Sequence, residues 1–292
     1  MIDPRGAWAD PQAGQITRTR EPATGTDLRE RAECQGRPAL PPTLEGMTKG
    51  HLWTGARSSG SDGPEAVLFD MDGTLVETEQ YWGEAMAALA ERLGGRLSVA
   101  ARERTVGTSM RFALGELYAD VGVVRGEAQL RADARWVEER TRELMAAGAP
   151  WRPGARELVV EVLAAGLPTA LVTTTPRRLA AVVLDQLTSD LGQNPFDVTV
   201  CGDEVPARKP DPAPYLQAAA ALGVDVEHSV VLEDSLAGVT SALAAGAAVL
   251  GVPSLQPLAP APGLVLRSTL VGLQLADLAV VLRNREQDDP AA

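Results

Sequence analysis

The sequence predicts an α/β protein, with a core built on a parallel β-sheet and a block of helices inserted after the first strand. Two observations support this fold class. Short apolar runs alternate with helical segments between residues 155 and 283, an order that is typical of parallel sheets. Residues 79–149 instead repeat their apolar positions at helical spacing and contain no convincing strand run. The sheet is therefore expected to begin near residue 66 and to resume after residue 150.

Residues 1–63 precede the first predicted strand. They are rich in Pro, Gly, Thr, Arg and Glu, show no sustained apolar period and end in a Ser- and Gly-rich linker. This composition predicts a disordered extension. Met47 lies within it, so a natural start at Met47 is a hypothesis, and the sequence predicts no role for the extension.

The first strand, predicted at residues 66–70, carries the most informative side chains. It ends in Asp70, which is followed by Met71, Asp72 and a turn at Gly73. Side chains alternate along an extended backbone, so Asp70 and Asp72 face the same side while Met71 faces the protein interior. Two crowded carboxylates repel each other, and a divalent cation such as Mg2+ relieves that repulsion. Asp70 can then attack phosphorus, with Asp72 as general acid and general base.

Three other structures are compatible with an Asp-x-Asp-Gly sequence: a hairpin turn, a calcium-binding loop and a solvated loop. A hairpin turn at Asp-Gly would need a return strand, but the residues that follow have helical spacing. A calcium-binding EF-hand loop would need Gly at its sixth position and Glu at its twelfth, where this chain has Leu75 and Tyr81. Both readings fail. A solvated loop after a core strand stays open for this stretch taken alone.

The remaining elements follow from periodicity and from Gly and Pro punctuation. Helices of the insertion are predicted near residues 79–94, 98–105, 109–120 and 126–147. Later helices are predicted at 155–165, from Pro176 to about Leu187, at 213–222, and in a segment ending at Gly246. Later strands are predicted at 169–172, 198–201, 229–232 and 248–252, before a last strand and helix near 264–283.

Polar residues follow several of the predicted strands. Thr173 and Thr174 come after one strand, Lys209 lies in the loop after the next, and Glu233 and Asp234 end a third. The carboxyl ends of parallel strands share one edge of a sheet, so these residues are expected to meet Asp70 and Asp72 there. Each motif alone is more often an ordinary cap or turn. Their joint occurrence, in order and after apolar strands, favours a site.

Phosphoryl transfer needs positive charge at such an edge, because a carboxylate and a phosphate repel each other. Mg2+ held by Asp70, the Asp72 carbonyl and Asp234 supplies part of it, with Glu233 adjacent. Lys209 can bridge the nucleophile and a phosphate oxygen. Thr173 and Thr174, at the start of the following helix, are predicted to bind phosphate as well.

Composition excludes several classes of partner. A net charge of -12 and an isoelectric point of about 4.7 disfavour nucleic acid and anionic membranes, which would repel the chain. Cys34 and Cys201 lie far apart in sequence, which is not a disulfide framework and fits the cytoplasm. His51 and His228 show no catalytic or metal-ligand pattern. The expected protein is cytoplasmic and a monomer or weak homodimer.

The motifs together resemble those of the haloacid dehalogenase-like superfamily, in its beta-phosphoglucomutase and phosphoglycolate phosphatase-like branch. The run Phe-Asp-Met-Asp-Gly-Thr-Leu at residues 69–75 is similar to the family's first motif almost letter for letter. Thr173 fits the second motif, Lys209 the third, and Glu233 with Asp234 the fourth. The resemblance implies Asp70 as nucleophile and Asp72 as acid/base. It also implies a Rossmann-like core at 64–78 and 150–284 and a mobile helical cap at 79–149, before a polar tail at 285–292.

The function expected from these residues is a Mg2+-dependent phosphatase of a small phosphorylated metabolite, such as a sugar phosphate. Two alternatives remain open: a beta-phosphoglucomutase-like phosphosugar mutase, and a non-catalytic binding protein on the same fold. In the cap, residues 107–111 are similar to the loop with which relatives bind substrate. Phosphoglucomutases have Arg directly after the Ser of this loop, whereas here Met110 intervenes before Arg111. The departure weakens the mutase alternative. It leaves two interpretations of Arg111 open: a substrate contact, or a solvated arginine at the start of a helix.

Overall fold

The computed structural model describes residues 63–106 and 108–288. The predicted disordered extension, apart from Gly63, and the hypothesis of a start at Met47 lie outside the described residues. So do Gly107 of the predicted substrate loop and the last four residues of the chain. In the part of the chain that is described, no helix is both long and apolar enough to cross a membrane.

Six parallel strands form one sheet in the order β3-β2-β1-β4-β5-β6. They are β1 (Ala66–Phe69), β2 (Thr169–Val172), β3 (Val198–Val200), β4 (Ser229–Glu233), β5 (Ala248–Gly251) and β6 (Leu264–Leu266). β1 lies in the centre, where it pairs with β2 on one side and β4 on the other. The predicted α/β fold with a parallel sheet is confirmed.

Nine helices are described. Four of them, α1 (Glu79–Arg92), α2 (Val99–Thr105), α3 (Met110–Val121) and α4 (Glu127–Met145), lie in sequence between β1 and the rest of the sheet. The others are α5 (Ala155–Ala164), α6 (Arg177–Leu191), α7 (Ala213–Leu222), α8 (Leu236–Ala244) and α9 (Leu275–Asp288). A short 3-10 helix, Val226–His228, precedes β4.

Two of these helices run further than the sequence predicts. α6 continues past Leu187 to Leu191 because its stop signal is Gly192, which adopts a left-handed conformation at φ 72°. α9 continues to Asp288, into the segment predicted as a polar tail. Arg285 anchors this last part of α9 through an ion pair of 3.1 Å with Glu227.

The central strand is buried on both faces, as expected for a parallel sheet covered by helices. Val67 and Phe69 pack into the apolar layer that includes α5, α6 and α9. Leu68, which points the opposite way, packs into the layer that includes α7 and α8. The helices α1, α3 and α4 share a third apolar cluster of their own. β1 therefore carries its carboxyl end, and Asp70, to the middle of one sheet edge.

The chain leaves and re-enters the sheet layer through two segments that pair with each other. The Glu77 amide donates to the Pro150 carbonyl at 2.9 Å, and the Arg152 amide donates to the Leu75 carbonyl at 2.8 Å. Glu77 and Arg152 also form an ion pair. This double connection places α1–α4 next to the carboxyl edge of the sheet.

Candidate active site

Asp70 follows β1 directly, and its backbone amide donates to the Leu232 carbonyl of β4 at 3.0 Å. The turn that follows requires Gly73, which has a φ of +82°. A Cβ at this position would lie 2.1 Å from Asp234 Oδ2. Gly73 therefore provides both the left-handed turn and the space for the carboxylate of Asp234.

Lys209 joins two buried carboxylates. Its Nζ lies 2.7 Å from Asp70 Oδ1, 2.6 Å from Glu233 Oε1 and 2.8 Å from the Val172 carbonyl. Burial lowers the pKa of Lys209, but Asp70 and Glu233 outweigh burial, so the pKa lies well above its usual value. An ammonium group has three protons to donate. All three protons have acceptors within the protein. To form the predicted bridge to a phosphate oxygen, Lys209 would have to exchange one of these hydrogen bonds.

Glu233 is fully buried and accepts hydrogen bonds at both carboxylate oxygens. Oε1 accepts from Lys209 and from the Tyr215 hydroxyl, the latter at 2.8 Å. Oε2 accepts from the Asp234 amide at 3.0 Å and from the amide and hydroxyl of Ser235 at 3.1 and 3.0 Å. Glu233 is thus fixed from several directions, and it holds Lys209 beside Asp70.

Asp70, Glu233 and Asp234 form an acidic group whose ligand oxygens lie within 4.8 Å of one another. Burial raises the pKa of Asp70 well above its usual range; Glu233 adds to this shift and Lys209 opposes it. Burial, again with Glu233, raises the pKa of Asp234 to about 7. Asp70 Oδ2 is buried and has no hydrogen-bond partner among the described residues. Oxygen donors with an unpaired buried oxygen among them fit a hard divalent cation.

Asp72 belongs to a different cluster, formed by hydroxyl groups. Its side chain accepts from Thr173 at 3.1 Å, from Thr175 at 2.7 Å and from Thr78, the residue before α1. Asp72 therefore contributes no side-chain oxygen to the acidic group above. Hydroxyl groups both donate and accept, so this cluster can hold the Asp72 carboxyl in either protonation state.

Thr78 and Thr175 do not figure in the sequence-based site. The sequence did contain a signal for Thr175, because residues two apart in an extended segment face the same side and Thr175 follows Thr173 by two. Thr173 and Thr175 are accordingly buried and Thr174 is exposed. Ser254, which donates to Asp234 from the loop after β5, also escaped prediction. It lies far along the chain in a loop with no strand-end acid to mark it.

A cavity of about 310 Å³ opens at this edge of the sheet. Its lining combines residues from the sheet edge with residues of α1–α4 and their loops: Asp70, Asp72, Thr174, Lys209, Asp234, Glu79, Trp82, Arg102, Ser109 and Met110. Arg102 forms a 2.6 Å ion pair with Glu79 inside this lining. The cavity is therefore polar at its base and mixed in character on the helical side.

Arg111, the predicted substrate contact, is not part of this lining. Its side chain is 66% exposed and forms a 2.6 Å ion pair with Glu127. The helix α3 begins at Met110, after its Ser109 cap. Ser109 and Met110 belong to the cavity lining, whereas Arg111 does not. The structure thus brings together Asp70, Asp72, Lys209 and Asp234 with Glu233, Thr173 and Thr174, but not Arg111.

Both the sequence and the fold of this chain are similar to those of known proteins. A family model described as haloacid dehalogenase-like hydrolase matches residues 64–246. The Phosphorylated carbohydrates phosphatase of Thermotoga maritima is 36% identical over 182 residues, which cover 62% of this chain and 82% of that protein. Hexitol phosphatase B of Escherichia coli K12 is 32% identical over 197 residues, covering 65% and 83%. The crystal structure of CbbY from Rhodobacter sphaeroides in complex with phosphate has a TM-score of 0.64 and 30% identity, covering 74% and 99%.

Proposed function

Because the chain belongs to the haloacid dehalogenase-like hydrolases, we propose that it is a Mg2+-dependent phosphatase of small phosphorylated metabolites that works through an aspartyl-phosphate on Asp70. Its relatives from T. maritima and E. coli are phosphatases by name. Those names support a phosphorylated carbohydrate as the substrate class. The protein is an enzyme, a phosphoric monoester hydrolase.

One observation carries the proposal: the two oxygens of Asp70 have different surroundings. Oδ1 lies against Lys209, whereas Oδ2 is buried without a partner among the described residues. Such an arrangement leaves Oδ2 for a cation and Oδ1 for attack on phosphorus. A buried carboxylate that only filled space would be expected to have both oxygens satisfied.

In the first step Asp70 Oδ1 attacks phosphorus, the bond from phosphorus to the leaving oxygen breaks, and Asp72 donates a proton to that oxygen. In the second step Asp72 takes a proton from water, which attacks the aspartyl-phosphate and restores Asp70 with release of inorganic phosphate. Thr173 and Thr175 orient the Asp72 carboxyl throughout.

Lys209 favours the ionised form of Asp70 and opposes the effect of burial, since its ammonium lies directly against the carboxylate. The phosphate contact predicted for Thr173 and Thr174 is assigned to Thr174, because the Thr173 hydroxyl already donates to Asp72. Thr174 is exposed and lines the cavity.

Asp70, Asp234 and the main-chain carbonyl of Asp72 would hold Mg2+, with Glu233 beside them. The bound cation supplies positive charge that offsets the negative charge of the phosphate. The assignment rests on the all-oxygen donor set and on the unpaired Asp70 Oδ2.

Residues 79–149 serve as the cap over the site. The two cysteines of the chain lie far apart in sequence, which supports a cytoplasmic location.

Release of inorganic phosphate from a panel of phosphorylated carbohydrates tests this proposal, in Mg2+ and in chelator, with Asp70→Asn beside the wild type. We expect metal-dependent release that Asp70→Asn lowers at least about a thousandfold. Equal release by the wild type and Asp70→Asn would overturn the nucleophile assignment. Isomerised product that keeps its phosphate would replace the phosphatase with a mutase.

A further inference from the structure

The ion pair between Lys209 and Glu233 is contacted by a residue that is not part of the cavity lining. Tyr215 on α7 is fully buried, and its hydroxyl donates to Glu233 Oε1 at 2.8 Å. The same oxygen accepts from Lys209 at 2.6 Å. Lys209 Nζ also lies 4.9 Å from the centre of the Tyr215 ring, within the range of a cation–π contact. Tyr215 therefore contacts both members of the pair.

Gly238 leaves the space that the same carboxylate occupies. It lies in the first turns of α8, and a Cβ on it would lie 1.7 Å from Glu233 Oε1 and 1.8 Å from its Cδ. The φ angle of Gly238 is not positive, so its backbone conformation does not require glycine. Glycine inside a helix costs about 1 kcal/mol relative to alanine. The structure offers one compensation for that cost, which is the space occupied by Glu233.

We propose that Tyr215 and Gly238 are positioning residues for the reaction: they fix the Glu233 carboxylate, and through it they aim the Lys209 ammonium at Asp70. This inference rests on the proposed function, in which Lys209 supports Asp70 as nucleophile. Neither residue is itself part of the cavity lining. Their loss should therefore lower kcat and leave KM almost unchanged, because the substrate contacts remain.

The geometry explains why a small displacement matters. Lys209 has three acceptors, and Glu233 is one of two that carry charge. If the carboxylate of Glu233 turns away, the Lys209 ammonium loses one of its three acceptors. The ammonium can then move with Glu233 or shift along Asp70. Catalytic groups must be held within a fraction of an ångström of their productive position. A hydroxyl that fixes Glu233 can therefore affect the rate without contacting substrate.

Two tyrosines allow a matched test. Tyr215→Phe removes a hydroxyl that donates to a buried carboxylate, and Tyr118→Phe does the same on α3, where the hydroxyl donates to Asp133 at 2.8 Å. We expect Tyr215→Phe to lower kcat about tenfold, the loss of one hydrogen bond to a charged group. Tyr118→Phe should keep wild-type kcat. An unchanged kcat in Tyr215→Phe, or equal losses in both variants, would overturn the proposal.

Two helical glycines provide a second comparison that does not involve a hydroxyl. Gly238→Ala places a methyl group where Glu233 lies, whereas Gly115→Ala in α3 meets nothing within 4 Å. Gly238→Ala should lower kcat at unchanged KM, and Gly115→Ala should leave kcat unchanged. If Gly238→Ala does not fold, the tyrosine pair still decides. A folded Gly238→Ala with wild-type kcat would overturn the role of Gly238.

A spectroscopic measurement separates this inference from the proposed function. Lys49 and Lys209 are the two lysines of the chain, so lysine-selective 13C labelling of the full-length protein with Mg2+ gives a simple spectrum. The Lys209 side-chain signal should move in Tyr215→Phe and stay in place in Tyr118→Phe. An unmoved Lys209 signal in Tyr215→Phe would overturn the route through Lys209, even if kcat fell. Absence of phosphatase activity in the wild type would refute the proposed function, and the spectra would still test the contact.

Discussion

Replacement of Lys209 by methionine tests the electrostatic balance of the site most sharply. Methionine keeps much of the side-chain length and removes the charge between Asp70 and Glu233. Lys209 Nζ lies 2.7 and 2.6 Å from the carboxylate oxygens of these residues, and its side chain is 2% exposed. At an effective dielectric constant near 20, unit charges about 2.7 Å apart attract each other by about 6 kcal/mol.

The net loss is smaller, because burial of the three groups costs desolvation energy that Lys209→Met partly recovers. Removal of one partner from a buried ion pair typically costs about 3–5 kcal/mol. We therefore expect Lys209→Met to lower the free energy of unfolding by that amount near neutral pH, and to abolish turnover. Urea-induced unfolding of the full-length protein in chelator measures the first effect.

The deficit of Lys209→Met should depend on pH in a defined direction. Burial already raises the pKa of Asp70 well above its unfolded value, and Lys209 opposes this rise. Without Lys209 the folded pKa rises further. A carboxyl group with a raised folded pKa stabilises the protein below its unfolded pKa, and this contribution is lost as pH rises through the folded pKa. The variant should therefore approach wild-type stability in acid and fall behind as pH rises above about 4.

Arg131→Met is the matched control, since Arg131 is 59% exposed and pairs with Glu127 at 3.4 Å. It should change the free energy of unfolding by less than about 0.5 kcal/mol. A deficit in Lys209→Met below about 1 kcal/mol, or one that does not vary with pH, would refute the electrostatic reasoning. Added Mg2+ should restore part of the lost stability, because ligand binding to the folded state stabilises it.

Three further predictions concern Asp72 and the cation site. Thr175→Val removes the hydroxyl that donates to Asp72 at 2.7 Å, and should lower kcat about tenfold in steady-state assays. Burial raises the pKa of Asp234 to about 7, and this carboxyl must lose its proton to bind a cation. The apparent Mg2+ affinity, measured by titration calorimetry, should therefore fall as pH drops below about 7, by up to about tenfold per unit. Gly73→Ala pushes a Cβ to 2.1 Å from Asp234 Oδ2, and should weaken Mg2+ binding at least about tenfold.

Each of these predictions has a matched control or a clear contradiction. Thr240→Val removes an exposed hydroxyl that donates to the Leu236 carbonyl and should keep wild-type kcat. Gly94→Ala imposes the same backbone strain as Gly73→Ala, at φ +86°, but its Cβ meets nothing within 4 Å. Equal Mg2+ affinities in the two glycine variants would contradict the role assigned to the space between Gly73 and Asp234. A Mg2+ affinity that is constant across neutral pH would contradict the account of Asp234.

The sequence predicts the fold well because the signals for its elements are local. The apolar run before Asp70, the glycines between helices and the alternation after residue 150 depend on neighbours in the chain. The same holds for the approach of Asp234 and Lys209 to Asp70, since parallel strands open at a common edge. The insertion of α1–α4 was likewise visible as a long segment without strands.

The parts of the site that escaped prediction depend on tertiary contacts. In the sequence Tyr215 looks like an ordinary apolar position of α7. Its hydrogen bond to Glu233 forms only when α7 packs on the sheet, against β1, β2 and β3. Ser254 depends in the same way on the path of a loop. On the helical side, the sequence favoured Arg111, but Arg102 lines the cavity, held by Glu79. Which side of a helix faces a cavity depends on how the helix packs, and local sequence patterns do not determine that packing.

The central claim is that phosphate is transferred to Asp70, and trapping of the acyl phosphate tests it most directly. The enzyme is mixed with its best substrate and Mg2+, quenched in acid and reduced with borohydride, which converts an aspartyl-phosphate to homoserine. Peptide mass spectrometry should then find homoserine at position 70 in the wild type, and none without substrate. Absence of homoserine at position 70 from samples that release phosphate, or its appearance at Asp72 instead, would contradict the account.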